Sequence, residues 1–199
     1  MKHIEQFRQH FTKVPTFTMR DAKLLLGNVV PSGYLRLLIH NLRKTGEVKR
    51  ITRGTYTFHD EAQLVGFAFE PFYYGLQDAL SLLNLWEQET NPIVITPRKI
   101  RSGTRNFEGN NYLVRHLDRK MFFGFEFIKY FNYWLPVSNP EKTLIDFAYF
   151  KEPLSQETLK EIKKRINHKK LNEYLKRTPQ KTRERVLKLL KKQLNQLGF

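Results

Sequence analysis

Residues 18–58 read TMRDAKLLLGNVVPSGYLRLLIHNLRKTGEVKRITRGTYTF, and the order of elements in that stretch decides the fold. Thr18 stands three residues before Asp21, the spacing at which a hydroxyl caps an orphan N–H at a helix start. The helix it opens runs from Met19 to Leu26, and Gly27-Asn28 supplies residues that tolerate positive φ to end it. Pro31-Ser32-Gly33 restarts a helix with Ser32 as its expected N-cap. Leu35, Leu38, Ile39 and Leu42 recur at i, i+3, i+4 and i+7, one buried stripe. The opposite face then carries Gly33, Arg36, Leu37, His40, Asn41 and Lys44, side chains suited to base edges and phosphates. Gly46 closes this helix. Glu47 to Ile51 and Thr55 to Phe58 read as two short strands joined through Thr52-Arg53-Gly54. Helix, second helix and basic hairpin in that order predict a winged helix-turn-helix that places one helix in a DNA major groove. The expected contacts to double-stranded operator DNA are Arg20, Ser32, Tyr34, Arg36, His40, Asn41, Arg43 and Lys44, with Lys49, Arg50 and Arg53 on the wing.

The charge distribution points the same way. The chain has 199 residues and a formal net charge of +16. Residues 1–60 hold 11 Lys/Arg against 4 Asp/Glu, net +7, and residues 61–150 hold 9 against 10, net −1. Residues 151–199 hold 15 against 5, net +10. Cations clustered at two ends gain affinity for nucleic acid by releasing its counterions. A 40% hydrophobic fraction describes a folded chain, and the absence of cysteine excludes disulfides, thiolate metal sites and a cysteine nucleophile. Met1-Lys2-His3-Ile4-Glu5-Gln6 lacks an apolar targeting region, and no apolar run of about eighteen residues exists. The expectation is a cytoplasmic protein with no membrane partner.

Along the chain the expected organisation is α+β. A first helix is predicted over His3 to Phe11, with Ile4, Phe7, Arg8 and Phe11 on one face, and a first domain over residues 1–60. Residues 61–199 form the second, with a helix from Leu76 to Asn84 or Leu85 and a β-branched strand in Ile93-Val94-Ile95-Thr96. Further strands are predicted over residues 105–107, 113–117, 121–128 and 133–137, several of them antiparallel. Ser138-Asn139-Pro140-Glu141 starts a helix with Pro in its first turn. Leu144, Ile145 and Ala148 face its core side, while Glu141, Lys142 and Asp146 could instead form a polar site for a partner. Three amphipathic basic helices follow from Ser155, carrying Leu159, Ile162 and Ile166, then Leu171, Tyr174 and Leu175, then Val186, Leu187, Leu190, Leu194 and Leu197.

The catalytic motifs of nucleotide-binding proteins, zinc proteases and serine hydrolases are missing, and the six histidines show no metal-ligand spacing. Asp118-Arg119-Lys120, with Glu108 upstream, has the D-x-K form of restriction-type nucleases, in which carboxylates hold a divalent ion that activates water. It arises readily by chance in so charged a chain. The expectation is a protein that is not an enzyme, with no catalytic residue, metal or cofactor. A nucleic-acid-processing nuclease and an RNA-associated protein using the basic C-terminal helices are the alternatives.

Three segments taken together resemble the AbiEi family of antitoxins and transcriptional regulators from type IV toxin–antitoxin systems. They are residues 42–56, LRKTGEVKRITRGTY; residues 73–80, YYGLQDAL; and residues 140–146, PEKTLID. They occur in the family's order, within about residues 10 to 150. Asp78 departs from the family, which carries Ser before that Ala-Leu pair. The resemblance implies an N-terminal winged helix followed by an α/β antitoxin domain with a helical C-terminus. It also implies autorepression of an operon and neutralisation of a nucleotidyltransferase-type toxin, without a stable complex between the two proteins.

Overall fold

Thr18 and Asp21 close a reciprocal cap: the Asp21 N–H donates to Thr18 Oγ1 at 3.3 Å and the Thr18 N–H to Asp21 Oδ2 at 2.7 Å. Two orphan donors at the start of a helix are thereby satisfied. The computed structural model describes residues 3–27, 30–86, 88 and 90–191. It is a mixed α+β fold with two sheets among those residues, dividing into a unit of Met1–Glu70 with Thr104–Tyr112 and a unit of Pro71–Gly103 with Leu113–Phe199.

The first unit starts with helix α1 (Ile4–Phe11), whose Phe7 and Phe11 are buried one turn apart. Strand β1 (Phe17–Thr18) leads directly into the capped helix α2 (Met19–Leu26), which Gly27 ends at φ +70°. Asn28, expected to share that role, lies outside the described residues. Helix α3 (Ser32–Lys44) buries Leu35, Leu38, Ile39 and Leu42, the stripe predicted from spacing. Its N-cap is Pro31 rather than Ser32, with no side-chain cap bond. Proline's φ is already set for a helix entry, so the start slips back by one residue.

Strands β2 (Lys49–Thr52) and β3 (Thr55–Thr57) pair antiparallel across the Arg53-Gly54 turn, with Gly54 at φ +82°. The sheet order is β1-β3-β2, so the strand before α2 is tied to the hairpin after α3. Phe7, Phe11, Phe17 and Phe58 fill the core beneath, the Phe11 and Phe17 rings stacking at 4.4 Å between centroids. Arg8 and Glu47 clamp α1 to the turn after α3 at 2.8 and 2.9 Å, and the Arg8 guanidinium holds the Glu47 carboxyl below its usual range. A 3-10 segment (Ala62–Phe69) follows, with Phe69 buried. The far part of a later hairpin groups with this unit too: Tyr112 donates its hydroxyl hydrogen to the Ile51 carbonyl at 3.3 Å. The sequence boundary at residue 60 therefore falls ten residues short of this unit's first segment and leaves out its second.

Loss of the Thr18 cap is expected to cost about 1 kcal/mol. Urea unfolding of Thr18→Ala measures it, and an unchanged midpoint would mean that the sheet alone fixes the start of α2.

In the second unit, β4 (Tyr73–Tyr74) runs into α4 (Leu76–Leu82), which is followed by β5 (Ile93–Thr96). Next along the chain come β6 (Gly103–Phe107) and β7 (Asn110–His116), whose residues 104–112 belong to the first unit, and then β8 (Phe125–Tyr130) and β9 (Tyr133–Ser138). The sheet order is β6-β7-β5-β4-β9-β8. β4 with β5 and β8 with β9 are antiparallel, as expected, whereas β5 with β7 and β4 with β9 are parallel. Period-two patterning gives a strand its faces and says nothing about its partner's direction.

The strand expected from Met121 begins only at Phe125. Arg119–Met121 is a 3-10 turn, and Gly124 takes φ +75°. The bulky run there serves the core: Phe123 meets Tyr174 edge-on, with ring centroids 5.1 Å apart.

Helix α5 (Pro140–Phe150) is the hub, with residues 141–148 all buried. Asn139 caps it, accepting from the Lys142 N–H at 3.0 Å. It is contacted by α4 and by the helices α6 (Gln156–Arg165), α7 (His168–Lys176) and α8 (Gln180–Lys191). Leu159, Ile162, Leu171, Leu175 and Val186 turn inward as their spacing predicts, whereas Leu187 is exposed. Leu194 and Leu197 lie outside the described residues.

Candidate nucleic-acid interface

An α-helix turns 100° per residue, so burying Leu35, Leu38, Ile39 and Leu42 drives Arg36, Leu37, His40, Arg43 and Lys44 outward. All five are exposed. The helix contains no carboxylate, so nothing on it opposes a polyanion. From Arg36 to Lys44 the cationic row is about 12 Å long at 1.5 Å per residue. Ser32 is exposed at the start of the same helix, and Asn41 is half-buried at the edge of the face.

The other predicted contacts fall differently. Arg20 is exposed on α2. Tyr34 turns partly inward, packing against the core and edge-on to His3, and its buried hydroxyl has no hydrogen-bond partner among the described residues. On the hairpin, Arg53 is exposed at the turn, and Arg50 donates from Nε to the Thr52 carbonyl at 3.2 Å. Lys49 is engaged: its Nζ lies 2.6 Å from Asp60 Oδ1, with only 16% of the side chain exposed. Sequence reasoning placed the 54% exposed Leu37 on the outer face of α3 but missed Leu24, which is 73% exposed on α2. The signal was available, because three successive leucines at 24–26 cannot all face one core at 100° per residue. Exposed cations with interspersed apolar side chains can grip phosphates and touch thymine methyls.

The polar residues of α5 are enclosed instead. Lys142 and Asp146 form an ion pair one turn apart with no exposed side-chain surface. Tyr73 donates its hydroxyl hydrogen to Asp146 Oδ2 at 2.9 Å, and the Lys142 ammonium sits 5.3 Å from the Tyr73 and Phe123 ring centroids. Burial raises the Asp146 carboxyl above its ordinary range, with Lys142 and Tyr73 opposing the shift. Burial likewise lowers the Lys142 ammonium, with Asp146 opposing, and raises the Tyr73 phenol further. Glu141 accepts from the Asn167 N–H at 2.6 Å, tying α5 to the start of α7. This is a satisfied internal network. Tyr73, 73 residues from its acceptor, was invisible as a member. Asp78, the departure from the family pattern, is also internal: it accepts from the Ile93 N–H at 2.9 Å and anchors the first residue of β5.

Asp118 and Glu108 serve the backbone. Asp118 Oδ1 accepts from the Lys120 N–H at 2.8 Å and caps the 3-10 turn. Glu108 and Gly109, at φ +47° and +83°, form the two-residue turn between β6 and β7. Among the described residues no three His, Cys, Asp or Glu side chains are grouped so as to hold a metal ion. Incubation with DNA or RNA in Mg²⁺ or Mn²⁺ is expected to give no turnover, and cleavage abolished by Asp118→Ala would reverse that assignment. No helix among the described residues is long and apolar enough to cross a membrane. Compared with known proteins, the chain matches no family model and no curated protein.

Proposed function

We propose that this chain binds operator DNA through a winged helix-turn-helix in its first unit, with α3 in the major groove and the β2–β3 hairpin as the wing. The observation that carries this reading is the carboxylate-free outer face of α3, with Arg36, His40, Arg43 and Lys44 exposed and Arg50 and Arg53 on the neighbouring hairpin. The element order helix, strand, helix, helix, hairpin and the +7 charge of residues 1–60 support it. The biological role that fits is autorepression by the antitoxin of a type IV toxin–antitoxin pair, opposing a nucleotidyltransferase-type toxin without a stable complex. That part rests on the resemblance of residues 42–56, 73–80 and 140–146 to the AbiEi family.

Two measurements test the two parts. Fluorescence anisotropy with duplex DNA from upstream of the chain's own gene should show tighter binding than a scrambled duplex of equal length; equal affinity would remove the operator. Co-expression with the adjacent reading frame should rescue growth if that frame encodes a nucleotidyltransferase-type toxin. A toxic neighbour that this chain fails to neutralise would remove the antitoxin role and leave the DNA binding standing.

A further inference from the structure

Lys120, Lys176 and Arg177 come from two segments of the second unit and line one pocket of about 310 Å³, with Asp118, Met121, Tyr149, Thr178 and Pro179. The single carboxylate among them is turned to its own backbone, accepting the Lys120 N–H at 2.8 Å. None of the three cations forms an ion pair among the described residues. Arg177 is held in place from behind, its guanidinium carbon 4.5 Å from the centroid of the Phe123 ring. A cation stacked on an aromatic face keeps its N–H edge free to donate.

Lys176 and Arg177 lie at the end of α7, where the helix dipole favours positive charge. The dipole does not account for Lys120, which arrives from the turn before β8. Three cations beside one carboxylate, one oxygen of which already accepts a backbone N–H, favour an anion over a divalent metal. The pocket lies at the small end of ligand sites, which run to about 300–1,000 Å³, yet is roomy for a bare phosphate. Of the apolar lining, Met121 is buried and Tyr149 partly exposed, so Tyr149 supplies the wall for an organic group beside the charge.

We propose that the pocket formed by Lys120, Tyr149, Lys176 and Arg177 binds a small phosphate monoester of nucleoside monophosphate size, with the cations on the phosphate and Tyr149 against the organic part. The same D-x-K tripeptide that suggests a metal site in the sequence thus contributes its lysine to an anion site. The proposal is independent of DNA recognition by α3.

Isothermal titration of the full-length chain at low salt, with inorganic phosphate, AMP and adenosine as probes, tests it. AMP should bind saturably and more tightly than phosphate, and adenosine should not bind. Arg177→Gln and Lys176→Gln should each weaken AMP by about tenfold, the loss of one charge-assisted hydrogen bond. Arg36→Ala should leave AMP binding unchanged, which separates this pocket from the α3 surface. Lys176 is exposed, so its variant remains informative if the loss of Arg177 from Phe123 perturbs the fold. Absence of saturable AMP binding overturns the proposal, as does equal binding by Lys176→Gln and the parent. Binding of phosphate with exclusion of AMP overturns the assignment of an organic part.

Discussion

Asp146→Ala is expected to destabilise the second unit by about 3–5 kcal/mol, because it leaves the Lys142 ammonium buried and without a counter-charge. Tyr73 loses its acceptor in the same step. The double variant Lys142→Met/Asp146→Leu removes both charges and should be the more stable of the two. Its remaining deficit is the orphaned Tyr73 hydroxyl, about 1–3 kcal/mol, which adding Tyr73→Phe should recover. Urea midpoints of the three variants are the measurement. A single variant more stable than the double would mean that water reaches Lys142 and that the pair is not enclosed.

The pH dependence of the single variants has opposite signs. In Lys142→Met, burial raises the Asp146 carboxyl with no cation left to oppose it. A group whose folded pKa is raised contributes most below its unfolded pKa and loses that contribution as pH rises through the folded value. Lys142→Met should therefore approach the parent in acid and fall behind it towards neutrality. In Asp146→Ala the lone Lys142 is lowered by burial, so its penalty is relieved as the pH rises and returns as pH falls through its folded value. That variant should recover in alkali. Parallel pH profiles for the two would show that loss of packing, not charge, sets the cost.

The physics of this pair also explains which parts of the fold were legible in the sequence. Helices α2, α3 and α5 were readable because their determinants are local: Thr18 with Asp21, the leucine stripe of α3, and Asn139-Pro140 at the head of α5. The pairings of β5 with β7 and of β4 with β9 depend on where distant segments meet, and strand patterning does not encode that. The aromatic run at 121–125 looked like a strand because bulky side chains favour both sheets and cores. Tyr73, which completes the ion pair, and Lys120, which meets Lys176 and Arg177, belong to constellations assembled by tertiary structure. The candidate DNA surface was readable because its determinants lie within one helix and the adjoining hairpin. Lys49 is the instructive member, since Asp60, just beyond the hairpin, takes up its charge.

Substitutions across the α3 face and the hairpin should therefore divide into three kinds of effect on DNA binding. Arg36 stands on the face proposed to enter the groove. Arg36→Ala is expected to cost about 1–3 kcal/mol on the operator duplex and much less on a scrambled one, because a base contact carries sequence information. Arg53, exposed at the turn with no ion-pair partner among the described residues, is proposed as a phosphate contact. Its replacement by Ala should weaken both duplexes alike and reduce the slope of log K against log salt by about 0.9, one counterion fewer released. Lys49→Ala should change that slope less, since its ammonium is already matched by Asp60 at 2.6 Å. The converse follows from the same geometry: Asp60→Asn frees Lys49 and removes a negative charge near the proposed contact, so it should tighten binding to every duplex and steepen the slope. Anisotropy titrations of the four variants from low to moderate salt on both duplexes make the comparison. Equal losses on both duplexes for Arg36→Ala would show that α3 reads no bases, and an Asp60→Asn variant no tighter than the parent would place the hairpin outside the DNA interface.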